Sequence, residues 1–514
     1  SVQVANGSSV SDNRVPQPTK NPVVPKNKEP LIVSETKKPH ILFINTDQLK
    51  AEFLGCYGFP VDVTPAIDRL AQEGACFEKA FTQCPICTPA RYSLLSGRYV
   101  SNHGALTNNH GVYPTVPSLV EQFNRNGYHT VAVGKLHHNP PDQKFGFQEV
   151  FLHDGTFRDR RKYSIYSKWL EEQGVDEDEL AYAADVDDDP EKRRYKDRVH
   201  WGRCRLDEKY TESKFLVDTM IDYVDRYDTE KPLFMYLSFV APHNPYCPPA
   251  PYDTMFAPED MPIPQRETEG QLAKKHRLLP HQLTQQDRDE NKRMPDETIQ
   301  SVRAQYAGLI RHMDDHIGRA VQNVRSKLGE DVMICVTSDH GDFMGEHHKF
   351  QKHLMYDGGT RVPYVVSWPG HIPAGMRVAG QVEQIDMLPT VLGLTGADWN
   401  ARTVPGQDRS QGLLKGDVQG EEFVFSEHWR AIGKHGEYTA MARSDRYKLI
   451  VVLDVEADRP LFYEFYDLKS DPYEVENIID SPELSREIER HRDALLEWNL
   501  RSKAFAPPNL GGAQ

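Results

Sequence analysis

The sequence predicts an α/β protein: a large mixed, mainly parallel sheet sandwiched by helices, with a small C-terminal antiparallel α+β subdomain. Short continuous apolar runs, such as Ile41-Leu42-Phe43-Ile44 and residues 332–337, have the form of strands buried on both faces. Amphipathic helical stretches alternate with them, as parallel crossovers require. Beyond about residue 415 the texture changes, and short strands follow one another without crossover helices.

In chain order, residues 1–38 are rich in Pro, Lys, Asn, Ser and Val without a sustained period, and read as an extended or disordered N-terminal arm. Such an arm would suit contact with a second copy of the chain. The main domain spans 39–415. Its first strand, from Pro39, ends in polar Asp47-Gln48. Thr64-Pro65 then reads as a cap and first helical residue. A short strand over 77–81 leads to Cys87; residues 116–126 look helical, and a strand over 129–133 runs into Gly134-Lys135-Leu136-His137. Residues 150–209 are charged and weakly patterned, which reads as an insertion over one face. A helix over 214–227 precedes a strand over 232–240, closed by Pro242-His243-Asn244-Pro245. A Pro-rich loop, 247–295, precedes a long helix over 297–324. The strand at 332–337 ends in Ser338-Asp339-His340-Gly341, followed by a strand at 361–368 and a helix at 386–394. In the C-terminal part, 416–514, strands are expected at 423–425, 439–443, 447–453 and 462–466, then a charged helix over 484–501.

The 514 residues are ample for a large core. With 61 Lys plus Arg against 76 Asp plus Glu, the net charge of −15 argues against general nucleic-acid binding, though a local basic pocket can still take an anion. No apolar run reaches membrane-span length. Seven cysteines are too few for a disulfide scaffold, and the number is odd. The chain opens on Ser1 rather than Met, which fits a processed, periplasmic or secreted protein; free cysteines leave the cytoplasm as the alternative.

Cys87-Thr88-Pro89-Ala90-Arg91 is the densest chemical signal. Pro is favoured in a first helical turn, so Cys87 should stand at a helix N-terminus, where free N–H groups and the dipole favour anions. Arg91 lies one turn on, on the same face. That arrangement suits attack on an anionic ester. Cys84-x-x-Cys87 also admits a redox pair or half a zinc site, but no second Cys-x-x-Cys exists. Ligands of open α/β sheets bind at the carboxyl ends of strands, where Asp47-Gln48, Lys135 with His137, His243, and Asp339-His340 all fall. Singly, such an Asp usually caps a helix, such a His packs in a loop and such a Lys is a surface charge. Four clusters placed alike point to a site. Asp47, Gln48, Asp339 and His340 offer an oxygen-rich set for Ca²⁺, Mg²⁺ or Mn²⁺ rather than tetrahedral zinc. Arg91, Lys135 and Lys352 are candidate charge clamps; His137 and His243 are candidates for proton transfer or anion binding. His347, His348 and His353 make the loop around Lys352 histidine-rich, and it reads as solvated or substrate-facing.

These residues resemble a known family. Cys87-Thr88-Pro89-Ala90-Arg91 followed by Leu94-Leu95-Ser96-Gly97-Arg98 is similar to the signature of type I, formylglycine-dependent sulfatases of the alkaline-phosphatase superfamily. Thr64 to Ala71, Gly134-Lys135-Leu136-His137, Pro242-His243-Asn244-Pro245, Ser338-Asp339-His340-Gly341, Gly345-Glu346-His347, Lys352, Tyr356, Arg361-Val362-Pro363, Tyr466-Asp467-Leu468, Asp471-Pro472 and Asn477 extend the likeness over most of the chain. The resemblance implies an alkaline-phosphatase-like fold. It implies that a maturation enzyme converts Cys87 to formylglycine, whose hydrate attacks sulfur, expels the alcohol and then collapses to release sulfate. Asp47, Gln48, Asp339 and His340, with the Cys87-derived group, would hold one divalent metal, usually Ca²⁺. Arg91, Lys135 and Lys352 would bind sulfate or steady the nucleophile, and His137 or His243 would protonate the leaving oxygen. The implied substrate is a sulfated small molecule or carbohydrate, and Arg158, Arg160, Arg161 and Lys162 would suit a polyanionic one. Three departures stand out: Asp47-Gln48 where many members have Asp-Asp, Asp339-His340 where many have Asp-Asn, and Ser96 for Thr. Asp-Gln with Asp-His also occurs in related phosphonate monoester and phosphodiester hydrolases, which often use Mn²⁺. A non-catalytic anion binder is the third reading, should Cys87 stay unconverted.

Overall fold

A computed structural model describes residues 38–155, 161–175, 199–204, 206–275, 294–432, 435–454 and 462–505. The N-terminal arm and Arg158 and Arg160 lie outside them. The strands are β1 His40–Thr46, β2 Ala75–Phe81, β3 His129–Gly134, β4 Glu149–Leu152, β5 Leu233–Ser238, β6 Val332–Ser338, β7 Arg361–Val362, β8 Tyr364–Ser367 and β9 Met376–Glu383. They form a nine-stranded sheet in the order β4-β3-β5-β1-β6-β8-β2, with β7 and β9 also pairing with β2. Five neighbouring pairs run parallel (β1 with β5 and β6, β3 with β4 and β5, β2 with β9), while β8 runs antiparallel to both β6 and β2. The sheet is therefore mixed and mainly parallel, as expected.

The continuous apolar runs divide between two cores by strand alternation. Leu42 and Ile44 of β1, Met235 and Leu237 of β5, and Ile334 and Val336 of β6 face one core, under the 33-residue helix Asp296–Leu328, helix Glu212–Asp225 and α1 Pro65–Glu73. Ile41 and Phe43, Phe234 and Tyr236, and Met333 and Cys335 face the other, under α2 Cys87–Ser96 and helices Val120–Arg125 and Met387–Leu394. Both faces are covered, so these central strands do not alternate apolar with polar.

Several local expectations change. Thr64 precedes α1 but does not cap it; its hydroxyl takes the Gly55 N–H instead. The cap is the buried Asp314 of the long helix, whose carboxylate accepts from Ala66 and Ile67 N–H at 2.8 and 3.0 Å. Burial pushes that carboxyl up to about 7. The strand expected over 361–368 is split into β7 and β8 by Pro363, which has no N–H for a ladder. Residues 149–152, at the start of the region read as an insertion, form edge strand β4. β9 has no counterpart in the sequence reading, because its Arg377, Gly380 and Gln381 interrupt the apolar pattern.

The C-terminal part holds β10 Val424–Ile432, β11 His435–Arg443, β12 Tyr447–Asp454 and β13 Phe462–Asp467, antiparallel in that order, and helix Ser485–Ser502. A buried ionic cluster ties this sheet to the main domain. Lys448, fully buried, meets Glu474 at 2.7 Å and also Asp357, which takes Arg443 at 3.0 Å. Burial alone would raise the Asp357 carboxyl, yet Arg443 and Lys448 hold it below the usual carboxylate range. Removing one partner of such a cluster strands a buried charge. Lys448→Met is expected to destabilise the protein by about 3–5 kcal/mol, read as a lower urea midpoint at an unchanged slope.

Candidate active site

The parallel register pairs Thr46 of β1 with Ser338 of β6, so Asp47-Gln48 and Asp339-His340 leave the sheet side by side. The Gln48 N–H donates to Asp339 Oδ1 at 3.1 Å. Two strands further along, Gly134 pairs with Ser238 and the chain turns to present Lys135. Gly134 has φ +101, and a Cβ there would sit 1.9 Å from the Ser238 carbonyl oxygen, so only glycine fits.

Cys87 is the first residue of α2, as its sequence context predicts. Its helix is locked from both ends of one turn. The Thr88 N–H donates to Asn108 at 3.0 Å and the Thr88 hydroxyl to the His137 carbonyl at 2.8 Å. Arg91, with no exposed surface, donates to Asp339 at 2.9 Å, Asp47 at 3.1 Å, the Lys135 carbonyl at 2.7 Å and Ser238 at 2.8 Å. The two carboxylates thus fix the helix, and the helix fixes Cys87. The Cys87 thiol lies 3.2 Å from His340 Nε2, 3.2 Å from Lys352 Nζ and 3.8 Å from Asp47 Oδ1.

Burial alone would raise the Asp47 carboxyl, but Lys135, His243, Lys352 and Arg91 hold it well below the usual range. Lys135 Nζ lies 2.6 Å from its Oδ2. Burial lowers Lys135 and Arg91, and the neighbouring carboxylates overcome that and raise both. Burial followed by Lys352 keeps His243 below its ordinary value, and its Nδ1 lies 2.7 Å from the Asn244 carbonyl. His340 is likewise lowered by burial, against the pull of Asp339.

Asp47, Cys87, Asp339 and His340 have donor atoms all within 4.8 Å of one another, and all four are buried. His340 Nδ1 sits 2.9 Å from the Gly341 carbonyl, which makes it the donor and leaves the Nε2 lone pair for the centre. Two carboxylates and an imidazole with its Nε2 lone pair free fit one divalent ion of the Ca²⁺, Mg²⁺ or Mn²⁺ kind. Gln48 turns its amide oxygen to Lys352 at 2.7 Å and its amide nitrogen to Asp342 at 2.6 Å. His137 enters through its backbone: its N–H donates to Asp154 at 2.8 Å and its carbonyl takes Thr88.

Residues 39–397 match the Sulfatase family, and residues 345–500 match the C-terminal region of N-sulphoglucosamine sulphohydrolase. The chain belongs to the sulfatase family. It is 30% identical over 507 residues to the arylsulfatase of Clostridium perfringens, covering 92% of this chain and 97% of that one. To the N-acetylglucosamine-6-O-sulfatase of Bacteroides thetaiotaomicron it is 25% identical over 541 residues, covering 92% and 88%. The phosphonate monoester hydrolase from Silicibacter pomeroyi shares the fold, with a TM-score of 0.75, 24% identity, and 90% and 96% of the two chains covered. The chain is thus a sulfuric ester hydrolase by family, with the alkaline-phosphatase-like fold.

In this sulfatase, several residues the sequence did not reveal support the centre. Asp342 accepts from Gln48, Tyr246, Met344 N–H and Gln351 N–H. It thereby braces a loop with five non-glycine residues at positive φ: Met344, His347, His348, Gln351 and His353. That loop aims Lys352. The loop was expected to be solvated or substrate-facing, and His347 is neither: it is buried, bonded to Glu267 at 2.5 Å and stacked on Tyr356. Cys84 is buried against Ile86 and Val100, and all seven cysteines are free thiols, so the Cys-x-x-Cys pair is not a disulfide. Arg161 and Lys162 lie in the turn before helix Ile165–Glu172 and line a surface cavity with Lys168.

Arg91→Lys keeps the charge but loses the planar fork that reaches Asp47 and Asp339 together. Both metal affinity and kcat/KM are expected to fall about 10–100-fold, checked by metal titration and steady-state rates on an aryl sulfate.

Proposed function

We propose that this sulfatase hydrolyses a sulfate ester on a sulfated carbohydrate, using a formylglycine made from Cys87 by a maturation enzyme. The observation that carries this reading is the seat of Cys87: first in its helix, 3.2 Å from both Lys352 and His340, and inside a buried set of metal donors. Formylglycine there would supply an oxygen nucleophile as its hydrate, and a second hydroxyl for regenerating the aldehyde. A divalent ion held by Asp47, Asp339 and His340, with Gln48 beside them and Ca²⁺ the first choice, would supply Lewis-acid polarisation of the ester oxygens.

The chain's own groups do the rest. Lys352 and Lys135 offset the negative charge of the sulfate and of its transition state. Arg91 keeps both carboxylates oriented. His243, beside Cys87 and Asp47, is placed to pass a proton to the leaving oxygen, and the negative charge of a bound ester would offset the burial that lowers it in the free protein. The carbohydrate reading draws on the N-acetylglucosamine-6-O-sulfatase relative and on Arg430 of β10. Arg430 stands opposite Glu437 on β11 and lies on the face of His428, whose ring is 5.8 Å from that of His353. A guanidinium there suits a second anionic group on the substrate. A polysaccharide substrate would suit a periplasmic or secreted enzyme.

The pairing of Asp47-Gln48 with Asp339-His340 favours a second reading, a phosphonate monoester or phosphodiester hydrolase using the same residues. Parallel rates on an aryl sulfate and an aryl phosphonate monoester, with Ca²⁺ and with Mn²⁺, decide between them. A larger kcat/KM on the sulfate is expected, and a much larger phosphonate rate overturns the sulfatase reading. Intact mass of the Cys87 peptide should show a species lighter than cysteine; full activity with an unmodified thiol would refute formylglycine chemistry. His243→Ala should lower the rate about 10²–10⁴-fold on an alkyl sulfate, where the leaving oxygen needs a proton, and much less on a nitrophenyl sulfate. An equal loss on both would remove the proton-donor role.

A further inference from the structure

A second cluster of ligating side chains lies on the long helix Asp296–Leu328, where His312 and His316 stand one turn apart on one face. Both are almost wholly buried. Glu208, from the turn Glu208–Tyr210, reaches in between them. Glu208 Oε1 is 2.9 Å from His316 Nε2 and 3.5 Å from His312 Nε2, and the two Nε2 atoms are 3.1 Å apart. The cluster shares no residue with the Cys87 centre.

Without an ion, the triangle is closed by the His316 Nε2–H, which can donate to Glu208 Oε1 or to His312 Nε2. A triangle of this size is what a metal would need. Zinc bonds of 2.0–2.1 Å in tetrahedral geometry separate neighbouring ligand atoms by about 3.3 Å. Two imidazoles and one carboxylate suit zinc better than calcium. We propose that Glu208, His312 and His316 form a zinc site, with Thr211 or water in the fourth position. Thr211 Oγ1 is already 3.3 Å from His312 Nε2. The ion would clamp the Glu208–Tyr210 turn onto the long helix.

One neighbour opposes the ion. Arg319 Nη1 lies 2.9 Å from His316 Nδ1 and can only donate, which keeps the His316 proton on Nε2. Zinc binding requires that proton to move to Nδ1 and Arg319 to withdraw. A place for it exists, because Arg319 is partly exposed and its other nitrogen already bonds Asp218 at 2.6 Å. Arg319 is therefore a competitor for the site, and its removal should favour the metal.

The full-length protein, stripped of metal, is titrated with zinc chloride, with calorimetry and thermal unfolding as readouts. Wild type is expected to bind one more equivalent of zinc than His316→Ala, and the accompanying rise in Tm is expected to be absent from that variant. Arg319→Gln, which keeps all three ligands, is expected to bind that equivalent on the order of tenfold more tightly, because a competing cation is gone. Equal stoichiometry in wild type and His316→Ala overturns the proposal. So does an Arg319→Gln isotherm identical to wild type, an arm that does not depend on the histidine variant folding.

Discussion

Two carboxylates, Asp47 and Asp339, stand side by side in a region with no solvent access, because the register of β1 and β6 leaves them no other place. Like charges so close in a low-dielectric interior repel strongly, and one would normally take up a proton. Here Asp47 is held well below the usual carboxylate range. Arg91 bonds both acids, Lys135 and Lys352 add positive charge, and a divalent ion held by the same carboxylates would complete the balance. Everything else in the catalytic part of the molecule can be traced to that requirement. The guanidinium must reach both acids, so α2 is pinned at its second turn. With α2 pinned, its first residue, Cys87, has no freedom of position. A well-packed apolar set would serve stability as well or better than this many buried charges. The arrangement makes sense as a preorganised electrostatic site, in which the dipoles and charges are set before an anion arrives.

The supporting residues follow the same logic one layer out. Lys352 comes from a loop that is forced through positive φ at Gln351 and His353, on either side of it. Such conformations cost of order 1–3 kcal/mol each and persist only where the surroundings impose them. Asp342 imposes them by taking two backbone N–H groups of the loop, Met344 and Gln351, while also accepting from Gln48 and Tyr246. Asp154 does the same for the His137 turn by accepting from Leu136 and His137. A carboxylate with several donors is rigid, and rigidity is what holds a lysine tip within 3.2 Å of the Cys87 sulfur.

The fold and the core of the site were legible in the sequence for one reason: residues that end buried strands are both conspicuous and placed alike. Asp47, Lys135, His243 and Asp339 each close an apolar run, and strand order then brings the runs together. What the sequence hid was of a different kind. Asp342, Asp154 and Asp314 carry no local signal, since nothing nearby in sequence distinguishes an acid that braces a loop or caps a helix from one that faces water. Asp314 caps α1 from 247 residues away, so the nearby Thr64 looked like the cap. β9 was hidden because a strand at the edge of the sheet tolerates Arg, Gln and Gly. The Glu208, His312 and His316 cluster was invisible too, since Glu208 lies about a hundred positions from the histidines it meets.

The main sheet holds Cys87 and the charges around it and closes over them, so selection among esters would come from groups that approach from outside it. β10 is the element placed to do this. Its Glu427 N–H bonds the Gln83 carbonyl, and Trp429 packs on Cys84, Ile86 and Val100, just ahead of Cys87. The alternate positions His428 and Arg430 share the opposite side of the strand, toward His353, next in sequence to Lys352. Burial lowers the Arg430 guanidinium, with Glu437 opposite it on β11 only partly restoring it. A charge kept desolvated is unfavourable in the free protein, and an anionic substituent on the substrate removes that cost. Recognition of a particular ester would then rest on the C-terminal sheet, while cleavage rests on the main one.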